Sequence, residues 1–202
     1  MRKTLFVVCL LAFTLLAQTK PEKDHTKYFP LQLNSLWKYE WEKNGSVISS
    51  TKIFIINKKD GDFILDKELY FTNMGFPIAS ETRYTVRNQM LLETGYAGGI
   101  FGEPYKPFMS CPIILKFPIT VGAKWDYEKD GGQKIFLKVI KWHDTFQTKY
   151  GVYNDVYEVS EKTIDGEMTL YRFIYYAYGV GMVQEEISDN GSETGTRSPM
   201  NV

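Results

Sequence analysis

Histidine and cysteine are scarce in this 202-residue chain: there are two of each. That scarcity excludes most metal and thiol chemistry. Zinc sites need Cys and His at short, regular spacing, and His25, His143, Cys9 and Cys111 show none. No EF-hand loop is present. Nor is there a Gly-x-Ser-x-Gly elbow for a serine nucleophile. A thiol nucleophile needs a base beside it, and the only thiol–imidazole pairing on offer is Cys111 with His143; Met109 and Pro112 make the Ser110-Cys111 pair read as a buried loop corner. The glycines at 95, 98, 99 and 102 are followed by Pro104 and Pro107, so no helix can present its N-terminus to a phosphate. Charge of one sign is also missing. Lys and Arg number 24 against 24 Asp and Glu, and without Arg2 and Lys3 the balance is 22 to 24, a formal −2. With no basic patch, nucleic acid is excluded as the expected partner. These absences leave the catalytic, cofactor-binding and metal assignments at none.

Long apolar runs are missing except at the start. Arg2 and Lys3 precede a run from Leu5 to Leu16 broken by Thr14, with the small Ala17 at its end. This is the pattern of a secretory signal peptide over residues 1–17, too short for a membrane span of roughly 20 apolar residues. Too few apolar residues precede Cys9 for lipoprotein cleavage there, so the expected product is exported, periplasmic or extracellular, without a lipid anchor. Cleavage after Ala17 leaves Cys111 as the one cysteine, and the fold must be held by its core. Residues 18–27 read as a polar leader, 28–188 as a single domain and 189–202 as a polar tail.

What is abundant is aromatic: 15% of residues are Phe, Trp or Tyr. Flat rings suit a half-buried pleated face. Trp37, Tyr39 and Trp41 alternate with Lys38, Glu40 and Glu42, the period of a strand with one wet side. Similar runs follow at Val47–Asn57, Asp62–Asp66, Glu68–Thr72, Thr82–Arg87 and Gln89–Thr94. They recur at Lys124–Lys129, Lys134–Trp142, Tyr153–Lys162, Met168–Tyr178 and Met182–Ser188. Turn pairs separate many of them: Asn44-Gly45, Asp60-Gly61, Asp130-Gly131, Asp165-Gly166 and Asn190-Gly191. The expected fold is all-β, an antiparallel meander of about ten to twelve strands. It forms an open or partly closed barrel, or a sandwich of two sheets.

An internal repeat organises the chain. Residues 29–40, from Phe29-Pro30 through Trp37 to Glu40, align without gaps on 117–128, from Phe117-Pro118 through Trp125 to Glu128. Asn34 falls opposite Gly122, the two residue types that most readily take a left-handed backbone, which predicts the same turn in both. Tyr84, Met90, Leu91 and Glu93 align more loosely with Tyr176, Met182, Val183 and Glu185. The related halves are 29–94 and 117–186, joined by a Gly/Pro-rich connection over 95–116 that reads as irregular.

The F-P-[LI]-x-x-[GN]-x-x-W-x-Y pattern, with Tyr176-Ala177-Tyr178-Gly179-Val180-Gly181-Met182-Val183 late in the chain, resembles a family of uncharacterised secreted or lipidated bacterial β proteins. The resemblance implies an envelope or secreted setting and no chemistry.

The acids Glu40, Glu42, Glu128, Glu158 and Glu161 fall on the polar side of alternating strands and read as solvated, against a glycosidase pair. Some strands carry apolar bulk on both sides: Tyr171 to Tyr176, Phe54 to Ile56 and Ile135 to Leu137. Such strands lie between layers or line a barrel. The function this favours is a non-enzymatic envelope module holding a hydrophobic or extended ligand, a small molecule or lipid, on an aromatic-rich surface. The alternative is a structural or protein-interaction domain with an envelope partner, its contact loop at Gly95–Pro112.

Overall fold

Period-two alternation becomes pleated strand along nearly the whole chain. The computed structural model describes residues 23–99, 102–129, 131–189 and 192–199, with backbone alone from 188 onward. A single 3₁₀ turn, His25–Tyr28, precedes thirteen strands. They are β1 (Leu36–Lys43), β2 (Ser46–Lys59), β3 (Asp62–Phe71), β4 (Ile78–Arg87), β5 (Met90–Gly98), β6 (Glu103–Pro107), β7 (Ile113–Lys116), β8 (Lys124–Glu128), β9 (Lys134–Thr148), β10 (Gly151–Asp165), β11 (Met168–Ala177), β12 (Gly181–Asp189) and β13 (Ser192–Pro199). The signal segment with Cys9, Asp130 and the Asn190-Gly191 pair lie outside the described residues.

The strands form one antiparallel hydrogen-bonded path, β6-β5-β4-β3-β2-β1-β13-β12-β11-β10-β9-β8, with β7 added to β5 beside β6. The path bends so that its two arms face each other as layers. Leu91 and Leu115 from one arm pack with Trp125, Leu137, Val139, Val159, Ile174 and Tyr176 from the other in one core. The barrel is not closed. Where β7 runs beside β8 no ladder joins them, and the Trp125 indole N–H spans the seam to the Ile113 carbonyl at 2.9 Å.

Because neighbours are antiparallel, the connections fall at two ends. One end, the floor, gathers residues 29–35, the turns at 60–61 and 88–89, the segment 117–123 and the turn at 178–180. The other, the mouth, gathers the turns at 44–45, 72–77, 129–133 and 166–167. At the floor the repeated Phe-Pro segments fold into matching corners. Asn34 and Gly122 both take positive φ (66° and 91°), and their N–H groups donate to the Ile55 and Val139 carbonyls at 3.0 and 2.8 Å. In return Ile55 N–H donates to Ser35 O and Val139 N–H to Ala123 O, both at 3.0 Å. Each corner thus satisfies its turn against the second strand of its own arm. Of the two Phe-Pro bonds, Phe117-Pro118 is cis.

Three expectations need correction. The tail from 189 contains β13, which pairs with β1 (Tyr39↔Pro199 to Glu42↔Thr196) and β12 (Glu185↔Arg197 to Asp189↔Ser192). A polar strand gives no apolar period, yet its backbone can fill a gap between two others. The connection 95–116 is largely regular: β5 runs on to Gly98, and β6 and β7 both pair with it. Gly98 permits this, because a Cβ there would sit 2.7 Å from the Ala79 carbonyl oxygen. Finally, part of the 18–27 leader is docked. Tyr28 is fully buried in the core, Gly179 N–H donates to Lys27 O at 2.8 Å, and Ile119 N–H donates to His25 Nδ1 at 3.2 Å.

Candidate functional site

Inward positions change character from floor to mouth. Near the floor they are dry, with Leu91, Leu115, Ile119, Trp125 and Val139 buried together. Further along the same strands the inward phase reaches charged residues: Lys67 on β3, Glu93 on β5, Glu161 on β10, Arg172 on β11 and Glu185 on β12. Here the arms leave a cavity of about 320 Å³. Its wall carries these five side chains together with Phe29, Trp37, Tyr39, Tyr84, Tyr96, Tyr127 and Tyr176, with Lys129 just beyond the end of β8.

Arg172 organises one side. Its Nε donates to Glu185 Oε1 at 2.6 Å and its Nη1 to Glu161 Oε1 at 2.9 Å. Both glutamates are buried (Glu161 6% and Glu185 3% exposed), whereas the arginine keeps 31% exposure into the cavity. Burial works against the guanidinium charge, but the two carboxylates outweigh it and raise its pKa further. Charge-assisted pairs of this kind fix side-chain positions in a low-dielectric interior.

Glu93 has no such partner: among the described residues its carboxyl group makes no hydrogen bond or ion pair. Burial raises its pKa, and the more distant charges of Lys129, Lys67 and Arg172 oppose the shift without cancelling it. Three phenols share this wall. Burial pushes Tyr84, Tyr127 and Tyr176 well above the ordinary tyrosine value, so all three stay neutral donors. None of their hydroxyls hydrogen-bonds to a described residue. Buried polar groups are nearly always paired with protein, water or ligand, so these phenols are open hydrogen-bonding capacity.

Beneath the cavity the N-terminal strap is clasped to the floor. Asp155, at φ 58° on a kink of β10, accepts from Tyr28 Oη and Trp142 Nε1, both at 2.8 Å, and pairs with Lys23. Burial works against its charge, but the hydrogen bonds from Lys23, Trp142 and Tyr28 prevail and lower its pKa. Beyond the kink the β9–β10 hairpin wraps over the outer face, where Lys149 reaches Glu40 and Glu42 on β1. Phe146 stacks on Tyr175 with ring centroids 4.3 Å apart, over Val156, Ala177 and Val183.

The two-sided apolar reading holds for β11, whose Ile174 and Tyr176 face the core while Phe173 and Tyr175 face the outer cluster. It fails elsewhere, because Ile56 is 51% and Phe136 43% exposed. The solvated reading of the acids fails for Glu161, and Glu158 is held by His143 at 2.8 Å. His143 is thus engaged on the outer face, and no hydrogen bond joins it to the half-exposed Cys111. Among the described residues no three metal-ligating side chains converge. Phase was the overlooked signal for two of the charged wall residues: Arg172 shares the alternation of Ile174 and Tyr176, and Glu93 that of Leu91. Glu185 has the phase of Val183, which lies in the outer cluster, and a bulge in the β11–β12 pairing turns it inward.

No family model and no curated protein sequence matches the chain. Two solved structures resemble it in fold. One is a protein designated as exported, with a YmcC-like fold, from Bacteroides fragilis. It has 10% identity and a TM-score of 0.56, covering 85% of this chain and 96% of that one. The other is a protein designated a lipoprotein from Parabacteroides distasonis, with 12% identity and a TM-score of 0.54, covering 88% and 98%. At these identities the likeness shows a shared all-β fold.

Proposed function

We propose that this is an exported bacterial envelope protein without catalytic activity that binds a small amphipathic ligand between its two arms. The cavity of about 320 Å³ carries the reading: it sits at the lower end of the range for small-molecule pockets, with aromatic walls and a few placed polar groups, as such pockets have. The signal-like segment Arg2–Ala17 supports export, as do the designations of the two structures that share the fold. The motif resemblance to secreted or lipidated bacterial β proteins points the same way. The sequence points to a hydrophobic or extended ligand; the charged wall favours one that also has polar groups.

Native mass spectrometry of protein extracted from bacterial envelopes without detergent tests this. The wild type is expected to carry a bound small molecule, and a Thr82→Trp variant, which fills the cavity from its β4 wall, to lose it. A wild type that carries nothing, and gains no thermal stability from any compound in a metabolite library, overturns the reading. Met109, 91% exposed between β6 and β7, favours a second reading, a protein contact through this loop. An envelope pull-down unchanged by deleting 108–111 removes it.

A further inference from the structure

We infer that the cavity takes an uncharged, multiply hydroxylated ring compound, a sugar unit, seated on the hydroxyls of Tyr84, Tyr127 and Tyr176 and on Glu93. This rests on the ligand-binding reading and names its ligand class.

The charge balance of the wall favours a neutral ligand. With Glu93 ionised, the wall carries Glu93, Glu161 and Glu185 against Lys67, Lys129 and Arg172, three of each sign. A ligand with net charge would bring in a charge that the wall does not compensate, at the desolvation cost such a group carries. A neutral ligand avoids that cost. Arg172 is already committed to Glu161 and Glu185, so it offers no fork to a carboxylate or phosphate.

The hydrogen-bonding capacity of the wall favours a ligand rich in hydroxyls. Three phenols and one carboxyl group face the cavity without partners among the described residues, and Tyr176 is only 4% exposed. A hydrocarbon chain would seal these groups away from water unpaired. A site of this kind discriminates strongly against ligands that lack the matching hydroxyls. Vicinal hydroxyls can each donate and accept, which suits tyrosine hydroxyls and a carboxyl group equally. The apolar face of a sugar ring would meet Phe29 and Trp37 on the same wall.

The test is a ¹⁵N-resolved NMR titration of the wild-type protein with glucose, galactose, mannose, N-acetylglucosamine and their β-linked disaccharides. Dodecanoate and benzylamine serve as apolar-anionic and cationic probes. The expected result is a saturable shift of resonances around Tyr84, Glu93, Tyr127 and Tyr176 with at least one sugar. Tyr176→Phe and Glu93→Gln should each weaken it about tenfold, the loss of one good hydrogen bond. Both variants should keep or raise the melting temperature, because Phe removes a hydroxyl that folding leaves unpaired and Gln removes a charge that folding leaves without a partner. If only dodecanoate or benzylamine saturates these resonances, the sugar assignment falls and ligand binding stands. If a sugar binds equally to a Tyr84/Tyr127/Tyr176 triple Phe variant, the named residues are wrong and the inference falls. If no probe binds, both the inference and the reading beneath it fall.

Discussion

Arg172 and Glu93 show two ways in which an inward strand position can hold a charge. Arg172 is compensated twice, by Glu161 and Glu185. Replacing it with Met keeps an unbranched apolar stem and leaves two buried carboxylates without their shared cation. Breaking one partner out of a buried ionic set costs about 3–5 kcal/mol, so Arg172→Met should show that loss in denaturant titration at neutral pH. Glu93 is uncompensated, and its raised pKa makes the native state hold its proton more tightly than the unfolded chain does. Its contribution to stability is therefore complete below the ordinary value of 4.5 and declines as pH rises through the elevated native value. Glu93→Gln should be more stable than wild type at neutral pH, and the difference should close as pH falls toward 4.5. Melting temperatures measured across pH check the sign; a difference that widens on acidification would contradict it.

Strands and turns were the legible elements, because each has a local cause. Asn44-Gly45 and Asp60-Gly61 take positive φ at both residues, the geometry that lets a two-residue loop follow strand twist. Asn88-Gln89 does the same without glycine, so it carried no dipeptide signature. The break expected at Lys67 is absent, and β3 runs through it, since an inward lysine on a cavity wall interrupts the apolar count but not the ladder. Glu161 was illegible for a related reason. Alternation separates two faces but does not say which is wet, and here the inner face is partly polar. The Asn34/Gly122 pairing was readable because a left-handed corner restricts residue type. A Cβ added to Gly122, at φ 91°, would meet nothing within 4 Å, so the penalty for a side chain there is the backbone's alone. Gly122→Val should cost about 1–2 kcal/mol, whereas Asn34→Gly should be close to neutral. Paired denaturation curves of the two variants compare the corners directly.

Across the full sheet the arms are joined differently at the two ends. Near the floor β1 and β12 touch directly: the Trp37 indole donates to Val180 O at 2.9 Å, the Tyr39 hydroxyl to Met182 O at 3.3 Å, and Gly181 lies against the Trp37 ring. Toward the mouth the two strands diverge and β13 fills the wedge between them, from the level of Tyr39 and Glu185 upward. Truncation after Asp189 would therefore leave the arms attached at the floor and free two strand edges beside the cavity. Unpaired edges recruit other chains. The truncated protein should keep slow amide exchange at floor positions such as Leu91 and Val139. It should lose protection at the alternate amides of Tyr39–Glu42 and Glu185–Asp189 that point toward β13, and it should self-associate in light scattering. A truncated chain that stays monomeric with protection unchanged along β1 and β12 would mean that the two arms do not need β13 to hold their spacing, and that the floor alone sets the width of the cavity.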